Sequence, residues 1–144
     1  MENKESFKKN KTLKETNNII LGFDFGTVKI GVAIGNTVSW KASPLKIIRE
    51  KSSKMRLIVA RNEVLYWDPV LIVVGVPRYK DDSTHPNAER CKKFANNISA
   101  STKKLVRLED ESYTSVLSDG KGDDDARAAT LILQGALDEI FHTA

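Results

Sequence analysis

Asp24 is unusual among the acidic residues because it lies inside an apolar run, residues 19–25. A buried carboxylate is costly unless a cation, a hydrogen-bond donor or a metal ion compensates its charge. Glu111 follows a short predicted strand, and Asp125 precedes the predicted last helix. Carboxylates that share one pocket repel each other and therefore require cations. The three residues together indicate a site for Mg²⁺ or Mn²⁺, hard cations that prefer oxygen ligands.

The chemistry that such a site favours is hydrolysis of phosphodiester bonds. Two hard cations about 4 Å apart can activate water and stabilise the leaving oxygen. The sequence has only two histidines, His85 and His142, and one cysteine, Cys91, which excludes a zinc-type ligand cluster. It also has no P-loop and no recognisable Ser/His/Asp spacing. A metal-dependent nuclease is therefore the predicted class of enzyme.

Each of the three acids also has a purely structural explanation. Asp24 could form a salt bridge or cap the following turn, and Glu111 could be a solvated loop charge. Asp125 stands where aspartate is a preferred helix N-cap. If Glu111 or Asp125 does not reach the pocket, Asp110 or Asp124 is the expected substitute.

The charge distribution favours a polyanionic partner. The net charge is +4, but residues 109–125 alone carry −6 and the remainder carries +10. A basic body around one acidic patch is expected of a metal site within a nucleic-acid-binding surface. The candidate phosphate-binding cations are Lys29, Arg78, Lys80, Arg90, Lys121 and Arg127.

The cellular setting is predicted from two further features. No apolar run is long enough to span a membrane, so no membrane partner is expected. The lone cysteine cannot form an intrachain disulfide, which suits a reducing cytoplasm.

At 144 residues the chain has the length of one domain. Residues 1–17, rich in lysine, asparagine and glutamate, are predicted to be a disordered basic tail, and 18–144 a single domain.

The order of predicted elements is β-β-β-α-β-α-β-α. The predicted strands are 18–25, 29–36, one within 38–48, 70–74 and 105–108. The predicted helices are 53–67, one whose first turn holds Pro86, and one that begins at Asp125. Gly75-Val76-Pro77 is expected to end the fourth strand. Three antiparallel strands followed by right-handed βα units predict an α/β fold with a mixed five-stranded sheet flanked by helices.

Five segments resemble, in order, the motifs of the YqgF/RuvX family of Holliday junction resolvases and pre-16S rRNA nucleases. They are residues 24–33 (DFGTVKIGVA), 75–77 (GVP), 87–95 (NAERCKKFA), 110–115 (DESYTS) and 125–134 (DARAATLILQ). The resemblance extends from about residue 18 to 140. It implies an RNase H-like fold, with Asp24, Glu111 and Asp125 as the acidic active-site positions.

Two positions depart from the family pattern. Ser112 replaces the arginine of the fourth segment, and Lys29 lies near the family's usual arginine. Lysine retains the charge but not the bidentate geometry of arginine. Lys121, Arg127 or Arg78 could compensate.

Three functional interpretations remain open. The favoured one is an endonuclease that matures the 5′ end of pre-16S rRNA, with ribosomal precursor particles as a further expected partner and Holliday junction resolution as the alternative. The second is a non-catalytic nucleic-acid-binding protein of the same fold. The third is a phosphotransferase of the actin and sugar-kinase type, which would need two such domains. A structured RNA or a branched DNA is the expected partner, and a monomer or weak homodimer the expected state.

Overall fold

The computed structural model describes residues 18–79, 81, 83–112 and 126–143, so the predicted tail lies outside the described residues. Its strands are β1 (Ile19–Phe25), β2 (Ile30–Asn36), β3 (Ala42–Ile48), β4 (Leu71–Arg78) and β5 (Val106–Ser112). Its helices are α1 (Ser53–Trp67), α2 (Ala88–Thr102) and α3 (Arg127–Thr143). Within these residues no helix is long and apolar enough to cross a membrane.

The strands form one mixed sheet in the order β3-β2-β1-β4-β5. β1 pairs antiparallel with β2 and parallel with β4, while β4 pairs parallel with β5. This topology confirms the predicted three antiparallel strands followed by βα units. Because β1 and β4 are central, their apolar runs are buried on both faces, as expected of the middle of such a sheet.

The sheet separates two apolar layers. Alternate residues of β1 serve different layers because successive strand side chains point to opposite faces. Leu21 and Phe23 join the layer that includes α1 and α2, whereas Ile20 joins the layer that includes α3. By the same alternation Asp24 lies on the α3 face and Phe25 on the face covered by α1 and α2.

The buried side of α1 does not follow its apolar residues. Met55 and Leu65 are 43% and 56% exposed, and the buried positions are Arg56, Ala60 and Val64. One inward position of this helix thus holds an arginine. Arg56 is tolerated there because it donates hydrogen bonds to backbone carbonyls.

Two strands are longer than predicted. β4 continues through Gly75-Val76-Pro77 to Arg78, so these residues do not end it. The pairing of β1 with β4 stops at Val74, so at Pro77 the strand β4 pairs only with β5. Proline has no backbone N–H to donate, and it is tolerated here because one side of the strand has no neighbour. β5 extends to residue 112, so Glu111 lies within the strand and not after it. Charged side chains are common on an edge strand such as β5.

Candidate active site

Asp24 lies near the carboxyl end of the central strand β1, on the face covered by α3. It is partly buried and lines a small cavity of about 110 Å³. Gly31, its register partner on β2, also lines this cavity. A Cβ at Gly31 would lie 3.7 Å from the Asp24 Cβ, so the glycine keeps the space beside the carboxylate open.

Two glycines let α3 pack closely against the sheet next to this cavity. A Cβ at Gly22 would lie 2.8 Å from the Leu133 Cβ, and one at Gly75 would lie 2.5 Å from the Ile132 Cδ1. Both distances are shorter than real Cβ contacts. The Leu133 Cβ is fixed to the helix backbone, so α3 could not lie this close over a larger residue at 22, whereas a larger residue at 75 would require the Ile132 side chain to shift. The close packing brings the start of α3, residues 126–128, to the wall of the Asp24 cavity.

Glu111 is the second acid at this end of the sheet. Burial, and after it the nearby negative charge of Asp24, together raise the pKa of Glu111 to about 7. β5 is the neighbour of β4 and not of β1, so Glu111 approaches Asp24 across β4. Glu109 faces Gly135 of α3. Because alternate residues of a strand point to the same face, Glu111 also lies on the α3 face.

The negative potential of the two acids extends to Cys91, a buried residue of α2. Burial raises the pKa of the Cys91 thiol to about 12, and Asp24 and Glu111 both contribute to the rise. A cation between the two carboxylates would relieve this repulsion. The donors are carboxylate oxygens, which fit a hard divalent ion.

Two of the predicted phosphate-binding cations lie at the same cavity. Lys29, from the turn between β1 and β2, and Arg127, the first residue of α3, line it together with Asp24. Ala126 precedes Arg127 with a φ of 58°, an uncommon conformation for a residue with a Cβ. The cavity therefore combines acidic and basic groups, as a site for a phosphate and its counter-ion requires.

Other predicted residues lie on the opposite face of the sheet. Arg78 forms an ion pair with Asp110 at 3.2 Å, and both line a second cavity beside Lys92 of α2. Asp110 is therefore not the expected substitute for Glu111, because it points away from Asp24. Arg90 lines a groove between α1 and α2. Neither Arg78 nor Arg90 lines the Asp24 cavity.

The remaining predicted residues, Asp125, Lys80, Lys121 and Asp124, lie outside the described residues. Among the residues that the structure does describe, no group of three or more His, Cys, Asp or Glu side chains could hold a metal ion. The described part of the predicted ligand set is thus the pair Asp24 and Glu111. The assignment of a third ligand to Asp125 stays a prediction.

Comparison with known proteins identifies the family. A family model described as RuvX, Holliday junction resolvase, matches residues 18–139. A Bordetella petrii protein, provisionally named a pre-16S rRNA nuclease, is 38% identical over 125 residues, which cover 84% of this chain and 95% of that protein. This chain belongs to the RuvX family. A Ralstonia pickettii protein with the same provisional name is 39% identical over 124 residues, covering 83% of this chain and 87% of that one.

Two solved structures similar to this RuvX protein are Holliday junction resolvases of the RNase H-like fold. The fowlpox virus resolvase bound to Holliday junction DNA has a TM-score of 0.55 at 12% identity and covers 85% of this chain and 98% of its own. Thermus thermophilus RuvC bound to a Holliday junction has a TM-score of 0.54 at 13% identity, with 88% and 98% covered. These similarities confirm the predicted fold. Family and relatives together make this RuvX protein a nuclease, a hydrolase that acts on phosphodiester bonds in nucleic acid.

One residue with a structural part in the site was missed by sequence reasoning. The buried Arg56 donates hydrogen bonds to the carbonyl oxygens of Thr27, Glu50 and Lys51 at 2.7, 2.8 and 3.0 Å. It thereby holds the β1–β2 turn, which carries Lys29, against the start of α1. The sequence gives no signal for this role, because a buried arginine in a helix cannot be distinguished by sequence from an exposed one.

Proposed function

We propose that this RuvX protein is a divalent-metal-dependent endonuclease whose metal ligands are Asp24, Glu111 and Asp125. The observation that carries the proposal is that Asp24 and Glu111, two partly buried acids from strands that are not neighbours, lie on the same face at the carboxyl end of the sheet. A fold does not place two partly buried carboxylates together without compensation. Lys29 and Arg127 lie close by. Lys29 is partly exposed and Arg127 is exposed, so both can also contact a phosphate.

The roles of the residues follow from their places. Asp24 and Glu111 would hold Mg²⁺ or Mn²⁺ from the sheet, and Asp125 would complete the set from the segment before α3. The metal would supply an activated water and neutralise charge on the phosphate. Lys29 and Arg127 would bind the phosphate oxygens and orient the scissile bond. The domain that does this is proposed to span residues 18–144.

The proposed substrate is the 5′ precursor segment of 16S rRNA, which would place the enzyme in the cytoplasm. Relatives that are 38% and 39% identical carry that provisional name, whereas the resolvases resemble this chain at 12% and 13% identity. The second candidate is Holliday junction resolution, favoured by the description of the family model.

The proposal is tested by cleavage assays on a precursor rRNA and on a four-way DNA junction. Each substrate is incubated with Mg²⁺, with Mn²⁺ and with EDTA. We expect cleavage of the RNA only with a divalent ion, and its loss in Asp24→Asn. Preferred cleavage of the junction would instead support the second candidate.

Asp110→Asn is the matched control for this assay. Asp110 precedes Glu111 in β5, but it lies on the opposite face, paired with Arg78. We expect Asp110→Asn to retain cleavage. Cleavage that persists in EDTA or in Asp24→Asn would contradict the proposed site. Binding of RNA without cleavage under every condition would indicate a non-catalytic binding protein.

A further inference from the structure

A groove between α1 and α2 is not used by the proposed active site. Phe25, Leu57 and Phe94 form its apolar floor, and Lys54, Arg90 and Lys93 form its basic rim. Its volume of about 370 Å³ is within the range of small-ligand sites. It lies on the face of the sheet opposite to Asp24.

The floor of the groove is aromatic and firmly held. The rings of Phe25 and Phe94 are stacked, with centroids 5.0 Å apart and planes at 29°. Phe94 is buried and also contacts the edge of Phe23, at 5.5 Å between centroids. Phe25 is only partly buried, so it presents a supported aromatic surface to the groove.

The rim carries positive charge that described acidic residues do not neutralise. Lys54, Arg90 and Lys93 are exposed, and none of them forms an ion pair with a described residue. Arg90 and Lys93 are three residues apart on α2, which places them on the same side of the helix. A flat apolar floor below a basic rim complements a nucleobase whose flanking phosphates lie at the rim.

The groove is next to the proposed active site through β1. Phe25 directly follows Asp24, and their side chains point to opposite faces of the sheet. The Phe25 carbonyl accepts a hydrogen bond from the Asn87 Nδ2 at 3.4 Å, which fixes the start of α2 to the end of β1. A nucleic-acid strand that crosses this sheet edge would therefore meet both the acidic cavity and the groove.

We propose that this groove binds an unpaired nucleobase next to the cleaved phosphodiester bond, which rests on the proposed function for the position of cleavage. The base lies on Phe25, and its flanking phosphates contact Lys54, Arg90 and Lys93. The groove thereby selects substrates with single-stranded nucleotides beside the scissile phosphate. RNA and single-stranded DNA both offer this chemistry, a base that can stack and phosphates on either side of it.

The test measures binding of short fluorescent oligonucleotides to the full-length protein in EDTA, so that it does not depend on cleavage. The probes are a single-stranded RNA, its DNA equivalent, a blunt RNA duplex, and RNAs with one base removed at successive positions. The variants are Phe25→Leu and the pair Arg90→Gln with Lys93→Gln. The pair Lys41→Gln with Lys103→Gln is the control, because it removes the same charge from exposed positions that do not line the groove.

We expect Phe25→Leu to weaken single-strand binding about fivefold, since the base would no longer stack on an aromatic ring. The Arg90/Lys93 pair should make the slope of log affinity against log salt shallower by about 1.4, as for two lost phosphate contacts. Removal of one particular base should weaken wild-type binding but not that of Phe25→Leu. The control pair should bind the single strand within about twofold of wild type.

Unchanged single-strand affinity in the Arg90/Lys93 pair would overturn the proposal, and this variant alters only exposed side chains. No effect of base removal at any position would overturn it as well. If wild type sediments as a dimer and the groove variants as monomers, the groove is an interface between copies. If the protein cleaves RNA and the groove variants bind the single strand normally, the proposed function stands and the groove proposal is rejected. If binding depends on the groove but no cleavage occurs, the groove proposal stands and the proposed function is rejected. The DNA arm decides whether the sugar contributes.

Discussion

The environment of Glu111 disfavours the ionised form of its carboxyl group. Burial and Asp24 raise its pKa to about 7 from an ordinary value of 4.5. The folded state therefore binds this proton more tightly than the unfolded chain does. The corresponding stability is fully present below about pH 4.5 and is lost as the pH rises through 7. Above that range the ionised Glu111 destabilises the metal-free protein.

Replacing Glu111 with glutamine should therefore stabilise the metal-free protein at pH 8 and change little at pH 4.5. The gain at pH 8 should be at most about 3 kcal/mol, the equivalent of the pKa shift. Urea unfolding in EDTA at the two pH values measures it, with Asp110→Asn as the control. Adding Mg²⁺ or Mn²⁺ should stabilise wild type more than Glu111→Gln. Equal gains at both pH values would contradict an electrostatic origin.

Ser112 lies where the resemblance to the family motifs predicts an arginine. A serine offers at most a neutral hydrogen bond where an arginine would offer a charge-assisted pair. Loss of such a group on a developing phosphate charge reduces the rate by about two to three decades. We expect Ser112→Arg to raise the rate constant of the cleavage step by up to about a hundredfold, and Ser112→Lys to raise it less because lysine lacks the planar fork. Single-turnover cleavage measures both, and unchanged rates would show that the missing arginine is not limiting.

At the scale of elements, the fold was predictable because the signals are local. The apolar runs of the strands, the periodicity of α3 and the chain breaks gave the order and type of every described element. The ends of β4 and β5 differ from the predicted ones. The proline at 77 and the acids 109–111 look like loop residues, yet both are accommodated where a strand lacks a neighbour on one side.

The site was predictable only in part, for a different reason. Asp24 is visible in sequence because its apolar surroundings are local. The approach of Glu111 across β4 depends on sheet order, which the spacing of residues does not state. The clamp made by Arg56 and the groove floor at Phe25 depend on contacts between distant segments. No local pattern distinguishes such residues from ordinary helix and strand positions.

Close packing of α3 on β1 leads to a prediction at the element scale. In Gly22→Ala the new Cβ would lie 2.8 Å from the Leu133 Cβ, which is near the helix backbone and cannot rotate away. The helix must shift, so we expect a loss of about 1–3 kcal/mol in unfolding free energy. Cleavage should also fall, because Arg127 and the preceding segment would move from Asp24.

Gly135→Ala is the matched control on α3. Among the described residues, its Cβ would meet only the Glu109 Oε2, at an ordinary 3.5 Å. Alanine is favoured over glycine in a helix by about 1 kcal/mol, so this variant should be at least as stable as wild type. Thermal unfolding and cleavage rates of the two variants are compared. Wild-type stability in Gly22→Ala would show that α3 does not depend on this contact.

At the scale of the whole molecule, positive charge surrounds the acidic site on more than one face. Lys29 and Arg127 lie at the Asp24 cavity, Arg78 lies beside Lys92, and Arg90 lies at the groove. A substrate strand that contacts all of these positions must wrap around the carboxyl edge of the sheet. Electrostatic attraction of this kind is distributed, so no single cation should dominate affinity.

Binding of substrate RNA should therefore weaken steeply with salt. If the six predicted cations each neutralise one phosphate, the slope of log affinity against log salt should be about −4. Removing two of them, in Lys29→Gln with Arg127→Gln, should make the slope shallower by about 1.4 and leave the fold intact, because Lys29 is partly exposed and Arg127 exposed. Fluorescence anisotropy over a salt series in EDTA measures both slopes. A slope near zero in wild type would contradict the electrostatic surface, whereas an unchanged slope in the double variant would place the phosphate contacts away from the acidic cavity.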